Sequence, residues 1–236
     1  MHDDRTDRTL PLRISAVLDI VHDTVPEDTI VLTGAGHSQA QFLQEYTVND
    51  ASQVISPNGF STMGFTVPGA LGAKLAAPDR PVLGFAGDGD FLMTVQELAM
   101  AVQYGLDVTY VVVDNAGWQS IRDLQMDAYG EDRGFAAEFR DAAGSSVSPD
   151  LVAVARGFGV EAEEATDEQA LKRAIGRALA SGGPTVIVVP VRREFPESAG
   201  PTSGWWDVPV PASLPESRGT YEREVAPVRR DAVKRS

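Results

Sequence analysis

The sequence predicts an α/β protein: a doubly wound parallel sheet of about six strands with helices on both faces. Three observations predict it. Short apolar segments alternate with longer helical patterns along all but the last part of the chain, as in successive βα units. The strand candidates, such as "VTYVVVDN" and "PTVIVVPV", are apolar runs without polar alternation, so both of their faces must be covered. Several of these runs stop abruptly at glycine or at Asp-Asn, where such sheets bind ligands beyond the carboxyl ends of their strands.

The elements follow in order. Residues 1–10 are polar and acidic and are expected to be a flexible tail. Pro11 to Val25 has Leu12, Val17, Leu18 and Val21 near one face and predicts an amphipathic helix. "TIVLTG" is a short buried strand, and "GAGHSQAQFLQEY" a loop entering a helix. "QVIS" is a weaker strand. "GFSTMGFTVPGALGAKLAA" is glycine-rich, then small and apolar, and suits a helix lying close to a sheet with Pro68 in its first turn. "PVLGFAG" is a strand, "VQELAMAVQYG" a helix stopped at Gly105, and "VTYVVVDN" the strand with most β-branched residues. A helix follows Trp118. Gln125 to Val147 reads as polar and irregular, a candidate mobile loop. "PDLVAVARGFG" and "DEQALKRAIGRALASGG" are helices and "PTVIVVPV" is the last strand. Residues 11–191 thus form one domain. Residues 192–236 are a polar, proline-rich extension whose "GWWDVP" stretch, with Trp205 and Trp206, is a candidate lid, interface or packing element.

Composition narrows the chemistry. The chain has 236 residues and no cysteine, which removes disulfides and thiolate metal sites. With three histidines, His2, His22 and His37, a histidine-built zinc site is not expected. A net charge of −14 opposes binding to nucleic acid or anionic membrane. No apolar run approaches the ~20 residues of a membrane span, and the N-terminus does not resemble a signal peptide. The expected location is cytoplasmic.

The chemistry concentrates in "FAGDGDFLMTVQELAMAVQYGLDVTYVVVDNAGW". Gly87-Asp88-Gly89 follows a strand and precedes a helix. Its glycines permit close approach of a ligand, and the exposed N–H groups favour an anion such as phosphate. Asp88 would repel that anion unless a divalent cation lay between them. Mg²⁺ takes hard oxygen ligands and commonly bridges carboxylate to phosphate. Asn115, at the end of the next strand, offers an amide oxygen, and Gly117 a carbonyl. The same two turns are equally open to a purely structural reading.

Gly-Asp-Gly followed by 24 residues and Asp-Asn resembles the diphosphate-binding signature of thiamine diphosphate (ThDP) enzymes, whose closing pair is usually Asn-Asn. "GFSTMGFTVPGALGA", "GDGDFLMTVQELAMAVQYGL", "SPDLVAVARGFGV" and "SGGPTVIVVPV" resemble consecutive segments of the acetolactate synthase branch. The likeness runs from about Leu12 to Val191. It implies Asp88 and Asn115 as side-chain ligands of Mg²⁺ and Gly117 as the backbone ligand. It implies that the amides of Gly89 and Asp90, next to Gly87, face the diphosphate. Met63 would prop the cofactor into its bent form, and the Ser61 carbonyl would accept from the aminopyrimidine. His37, Ser38 and Gln39 would lie in the first strand-end loop beside the diphosphate, and Trp118 beside the cofactor. Four positions depart from the family. Asp90 replaces a common Ser and brings a second carboxylate near the diphosphate. Ser61 replaces Gly, Asp114 replaces the first Asn and reads as structural, and His37-Ser38-Gln39 replaces Gln-His-Gln.

In this family a glutamate on a separate pyrimidine-binding domain activates the cofactor. The resemblance therefore implies a partner subunit carrying that glutamate, in a hetero-oligomer with two or more copies of each subunit, and no FAD on this chain. The expected reaction is decarboxylation of a 2-oxo acid or ligation of the product. Alternatives are a sulfopyruvate- or phosphonopyruvate-type decarboxylase subunit, for which Arg122 and Arg133 are the nearby cations, and a non-catalytic ThDP-binding regulatory module.

Overall fold

The computed structural model describes residues 4–193 except 49, 51, 52, 131 and 132. The tail beyond 193, with Trp205 and Trp206, lies outside the described residues.

Among the described residues, six parallel strands form one sheet in the order β2-β1-β3-β4-β6-β5. They are β1 (Ile30–Thr33), β2 (Val54–Ile55), β3 (Val82–Gly87), β4 (Thr109–Asp114), β5 (Glu161–Glu164) and β6 (Thr185–Pro190). Among the described residues eight α-helices connect and cover them: α1 (Ile14–Thr24), α2 (His37–Glu45), α3 (Thr66–Ala76), α4 (Asp88–Met93), α5 (Leu98–Gln103), α6 (Gln119–Tyr129), α7 (Leu151–Gly157) and α8 (Glu168–Ser181). No helix among the described residues is long and apolar enough to cross a membrane.

The two-residue period of a strand divides the core. Along β4, Val111 and Val113 point to the layer of α1, α2 and α8, packing with Val17, Phe42 and Leu171. Tyr110 and Val112 point to the layer of α3, α5 and α7, packing with Val67, Leu98 and Leu151. Both sets are buried, which is why the strand shows no polar alternation. Each such side chain contributes on the order of 1.5–3 kcal/mol by leaving water. Tyr110 is tolerated in the core because its hydroxyl donates to the Val67 carbonyl at 3.1 Å. Its ring lies where a Cβ on Gly84 would come within 2.7 Å.

Helix ends follow local chemistry. Asp150 caps α7 and Asp167 caps α8, each accepting from the third following amide at 2.8 Å. Gly105, with φ +60°, follows the end of α5. Pro68 sits in the first turn of α3, where the missing N–H costs nothing. Near the N-terminus Arg8 pairs with Asp19 of α1 and Glu168 of α8.

Two elements differ from the sequence reading. Gln125–Tyr129 belong to α6, and residues 137–147 double back through Val147 N to Phe139 O and Asp141 N to Ser145 O. What reads as irregular is helical at 125–129 and a hairpin-like return at 137–147. The other is β5, "EAEE", a strand the patterning does not mark. It lies at the sheet edge, pairs only with β6 and buries Ala162 alone among its residues.

Candidate functional site

The chain runs outward from β1 to β2 on one side, then returns to β3 on the other. Such reversals open a crevice beyond the strand ends. Here it is a cavity of about 660 Å³, within the usual range for a cofactor-sized ligand. The segments after β1, β3 and β4 line it, facing Asn58 to Met63.

All twelve residues singled out in the sequence come together: His37, Ser38, Gln39, Ser61, Met63, Gly87, Asp88, Gly89, Asp90, Asn115, Gly117 and Trp118 all line this cavity. Their local placement departs from expectation at several points. His37, Ser38 and Gln39 are not loop residues but the first turn of α2, entered through Gly36 at φ +92°. Asp88 and Gly89 likewise begin α4 directly after β3, so their amides lie at a helix start.

Asp88 is 1% exposed. Its carboxylate accepts from Gly89 N at 2.7 Å and Gly117 N at 2.8 Å, joining the two glycine turns. Burial pushes its pKa up to about 8; the Gly117 and Gly89 amides pull the other way, while neighbouring Asp114 adds to the rise. A buried carboxylate beside another carboxylate is an arrangement that a cation relieves. Asp114 accepts from Ala116 N at 2.9 Å and Ser148 Oγ at 2.6 Å. Among the described residues no three His, Asp or Glu side chains converge on one metal position. A metal held at Asp88 would therefore rely on amide, carbonyl and phosphate oxygens, the donor set that Mg²⁺ accepts.

Asp90 does not present its carboxylate to the cavity as a second repulsive charge. It turns inward, accepting from Gly64 N at 2.6 Å and Thr66 Oγ1 at 2.5 Å. Thr94 Oγ1 donates to the Gly64 carbonyl at 2.8 Å. Together they fasten the loop bearing Ser61 and Met63 onto α4. Gly34 makes room for this, since a Cβ there would come within 2.4 Å of Asp90 Oδ1. Burial raises the Asp90 pKa against the pull of Thr66 and Gly64. Asp90→Ala strands the buried Gly64 N–H and is expected to cost about 1–3 kcal/mol, with Asp90→Asn losing less. Urea denaturation measures this, and an unchanged midpoint in both variants refutes the fastening role.

Ser61 adopts a left-handed conformation, φ +46°, and its Oγ donates to Gln39 Oε1 at 2.8 Å, while Gln39 Nε2 donates to Ser56 at 2.9 Å. Ser38 Oγ lies where it would be 3.5 Å from a Cβ on Gly87. His37 is buried, with Nε2 3.3 Å from Asp123 Oδ2 on α6. Burial lowers its pKa to about 4, so the imidazole is neutral at neutral pH. Trp118 crosses Gly89: a Cβ there would meet Nε1 at 2.5 Å. Its ring meets the edge of Phe139 at 5.1 Å. Gly117, φ +137°, needs glycine twice over, since a Cβ would also meet the Ala137 carbonyl at 2.5 Å. Its own carbonyl accepts from Gln119 N at 3.0 Å.

Neither Arg122 nor Arg133 lines the cavity. Arg122 is directed to Asp123 and Glu138. Among the described lining residues there is no Lys, Arg or Glu.

Comparison with known proteins places this geometry. Residues 34–189 match the family model for the thiamine pyrophosphate enzyme C-terminal TPP-binding domain. The acetolactate synthase large subunit of Parasynechococcus marenigrum (strain WH8102) is 39% identical over 177 residues, covering 75% of this chain and 27% of that protein. The 3D-(3,5/4)-trihydroxycyclohexane-1,2-dione hydrolase of Bacillus velezensis is 35% identical over 193 residues, covering 80% of this chain and 29% of that protein. The chain thus spans less than a third of the length of these relatives. Among solved structures, a thiamine diphosphate-dependent 4-hydroxybenzoylformate decarboxylase of Rhodococcus jostii RHA1 superposes with a TM-score of 0.71 over 79% of this chain and 34% of that one. At 24% identity it supports the fold.

Proposed function

The chain belongs to the thiamine pyrophosphate enzymes, as a C-terminal TPP-binding domain of acetolactate synthase-like type, and from that premise we propose that it is the diphosphate-binding subunit of a two-subunit, Mg²⁺-dependent enzyme that decarboxylates a 2-oxo acid or ligates the product. The observation that carries this reading is the joining of Asp88 to the Asn115–Gly117 turn inside one cavity.

When bound, the cofactor supplies an electron sink for breaking or making a bond beside a carbonyl. The residues of this chain bind and orient it. Asp88 gives the one charged metal ligand, and the Asn115 amide and Gly117 carbonyl give neutral ones. The Asp90 amide, at the start of α4, would face the diphosphate, whereas the Gly89 amide expected beside it is taken by Asp88 at 2.7 Å. Trp118 closes one side, while Met63 and Ser61, held by Asp90 and Gln39, form the opposite wall. His37, neutral and anchored at Asp123, adds no charge beside the diphosphate.

Two observations bear on the finer points. The absence of Lys and Arg from the described cavity lining favours a 2-oxo acid with one carboxylate over sulfopyruvate- or phosphonopyruvate-type substrates, which carry a second anionic group. The absence of glutamate from the same lining favours a cofactor-activating glutamate supplied by a pyrimidine-domain partner. Exposed apolar side chains, Leu43 at 52% in the cavity lining and Phe60 at 91% between the lining residues Gly59 and Ser61, suit burial against such a partner. The relatives are named for a synthase and a hydrolase, which fits a shared portion that holds cofactor rather than selecting the reaction.

The assembly is expected to be a hetero-oligomer with two or more copies of each subunit, tightened by ThDP and Mg²⁺ because both bind only the assembled site well. Co-expression with a candidate pyrimidine-domain subunit, followed by light scattering with and without cofactor, tests it. A ThDP-loaded monomer indifferent to such a subunit counts against it.

A further inference from the structure

We propose that Arg193 is a positioning residue for the Asn115–Gly117 turn, gripping its backbone carbonyls from outside the cavity so that the metal-facing groups are held in place. The inference rests on the reading of that turn as the metal-binding one.

Arg193 follows β6, far from the turn in sequence. Its Nε donates to the Asn115 carbonyl at 2.8 Å and its Nη2 to the Ala116 carbonyl at 3.0 Å. Nη1 donates to Glu138 Oε1 at 3.1 Å, and Nη2 also reaches Ser146 Oγ. One planar guanidinium therefore ties two consecutive carbonyls to the hairpin-like return at 137–147. That return holds the turn from its other side. Phe139 N donates to the Ala116 carbonyl at 3.0 Å, and Trp118 N donates to the Ala137 carbonyl at 2.8 Å. Glu138, whose side chain is 12% exposed, is gripped in turn by Arg122 and Arg140. Arg122 continues to Asp123, which faces His37. A chain of polar contacts, ionic from Arg193 to Asp123, thus encircles the start of α6 and ends on the neutral His37 in the first turn of α2.

The turn needs such support. Ala116 sits at φ +60° and Gly117 at φ +137°, and a non-glycine residue in the left-handed region costs free energy that its surroundings must offset. The Ala116 N–H is held by Asp114 and its carbonyl by Phe139, Arg193 and Gln119. Gln119 is local to the turn, whereas Arg193 anchors it to the end of β6. Residues that orient metal ligands without touching the metal are commonly worth 10- to 100-fold in affinity.

Arg193→Lys is the informative change. Lysine keeps the charge but has one nitrogen and no fork, so it cannot span both carbonyls. Two measurements on the full chain, with its partner where one is required, test the role. In the cofactor-free protein, hydrogen exchange at the amides of Gly117 and Trp118 is expected to accelerate at least about tenfold, while the amides of β3 and β4 stay unchanged. In calorimetric titrations with ThDP, the Mg²⁺ concentration for half-maximal binding is expected to rise roughly 10- to 100-fold, with affinity recovering at saturating Mg²⁺. That rescue separates a loosened metal turn from general damage to the fold. Unchanged exchange, or faster exchange with an unchanged Mg²⁺ requirement, overturns the proposal. A wild type that binds ThDP without any need for a divalent ion overturns the metal reading itself, and the proposal with it.

Discussion

Replacing Asp88 by alanine is expected to abolish Mg²⁺-dependent binding of ThDP while leaving the protein folded. In the proposed donor set Asp88 is the one charged ligand, and its carboxylate also joins the Gly89 and Gly117 amides. Removing it leaves two buried donors unmatched, at about 1–3 kcal/mol each. It also removes a buried carboxyl from beside Asp114, which offsets part of that cost. The sign of the pH dependence separates these effects. In the metal-free protein Asp88 is raised from 3.8 to about 8, first by burial and then by Asp114, against the pull of its amides. The folded state therefore keeps a proton that the unfolded chain has already lost. Asp88 makes metal-free stability fall as pH climbs from about 4 to about 8, after which its contribution is constant. In Asp88→Ala this component disappears. Calorimetry with ThDP and Mg²⁺, together with urea denaturation across that pH range, checks both halves. Undiminished ThDP affinity in the variant removes the metal assignment.

The second large effect concerns turnover. The purified chain, given ThDP, Mg²⁺ and a 2-oxo acid, is expected to turn over no faster than the free cofactor. The lining groups are proposed to bind and orient the cofactor, and there is no glutamate among the described lining residues. Adding a pyrimidine-domain subunit should raise the rate roughly 10²- to 10⁴-fold, the usual worth of a positioned acid or base. Replacing that subunit's glutamate by glutamine should abolish the gain. Steady-state CO₂ release or consumption of the 2-oxo acid reads the outcome. Robust turnover by this chain alone would mean that the activating group lies within it.

Some of the protein is set by local sequence. Four of the six strands, β1, β3, β4 and β6, are visible as near-continuous apolar runs because both of their faces are buried, whereas β2, partly exposed, gives the weaker signal of Val54 and Ile55 alone. The helices that face the sheet carry their pattern locally in the same way. The site's gathering point is also legible. Glycine turns at the ends of β1, β3 and β4 meet wherever those strands are neighbours, and Asp88 and Asn115 stand at two of those ends.

The tertiary structure decided what local pattern does not encode. β5 is "EAEE", an edge strand with one buried residue, and it becomes a strand because β6 offers it an unpaired edge. The direction of Asp90 depends on Gly64, Thr66 and the bare Cα of Gly34, which lie 24 to 56 positions away in the chain. Only their convergence turns an apparent repulsive charge into a fastening. The partners of Arg193 at Asn115 and Ala116 are 78 and 77 positions away. Hydrophobic periodicity records which face of an element is buried. It does not record which polar group on one element meets which on another, because those pairs form only once the layers are packed.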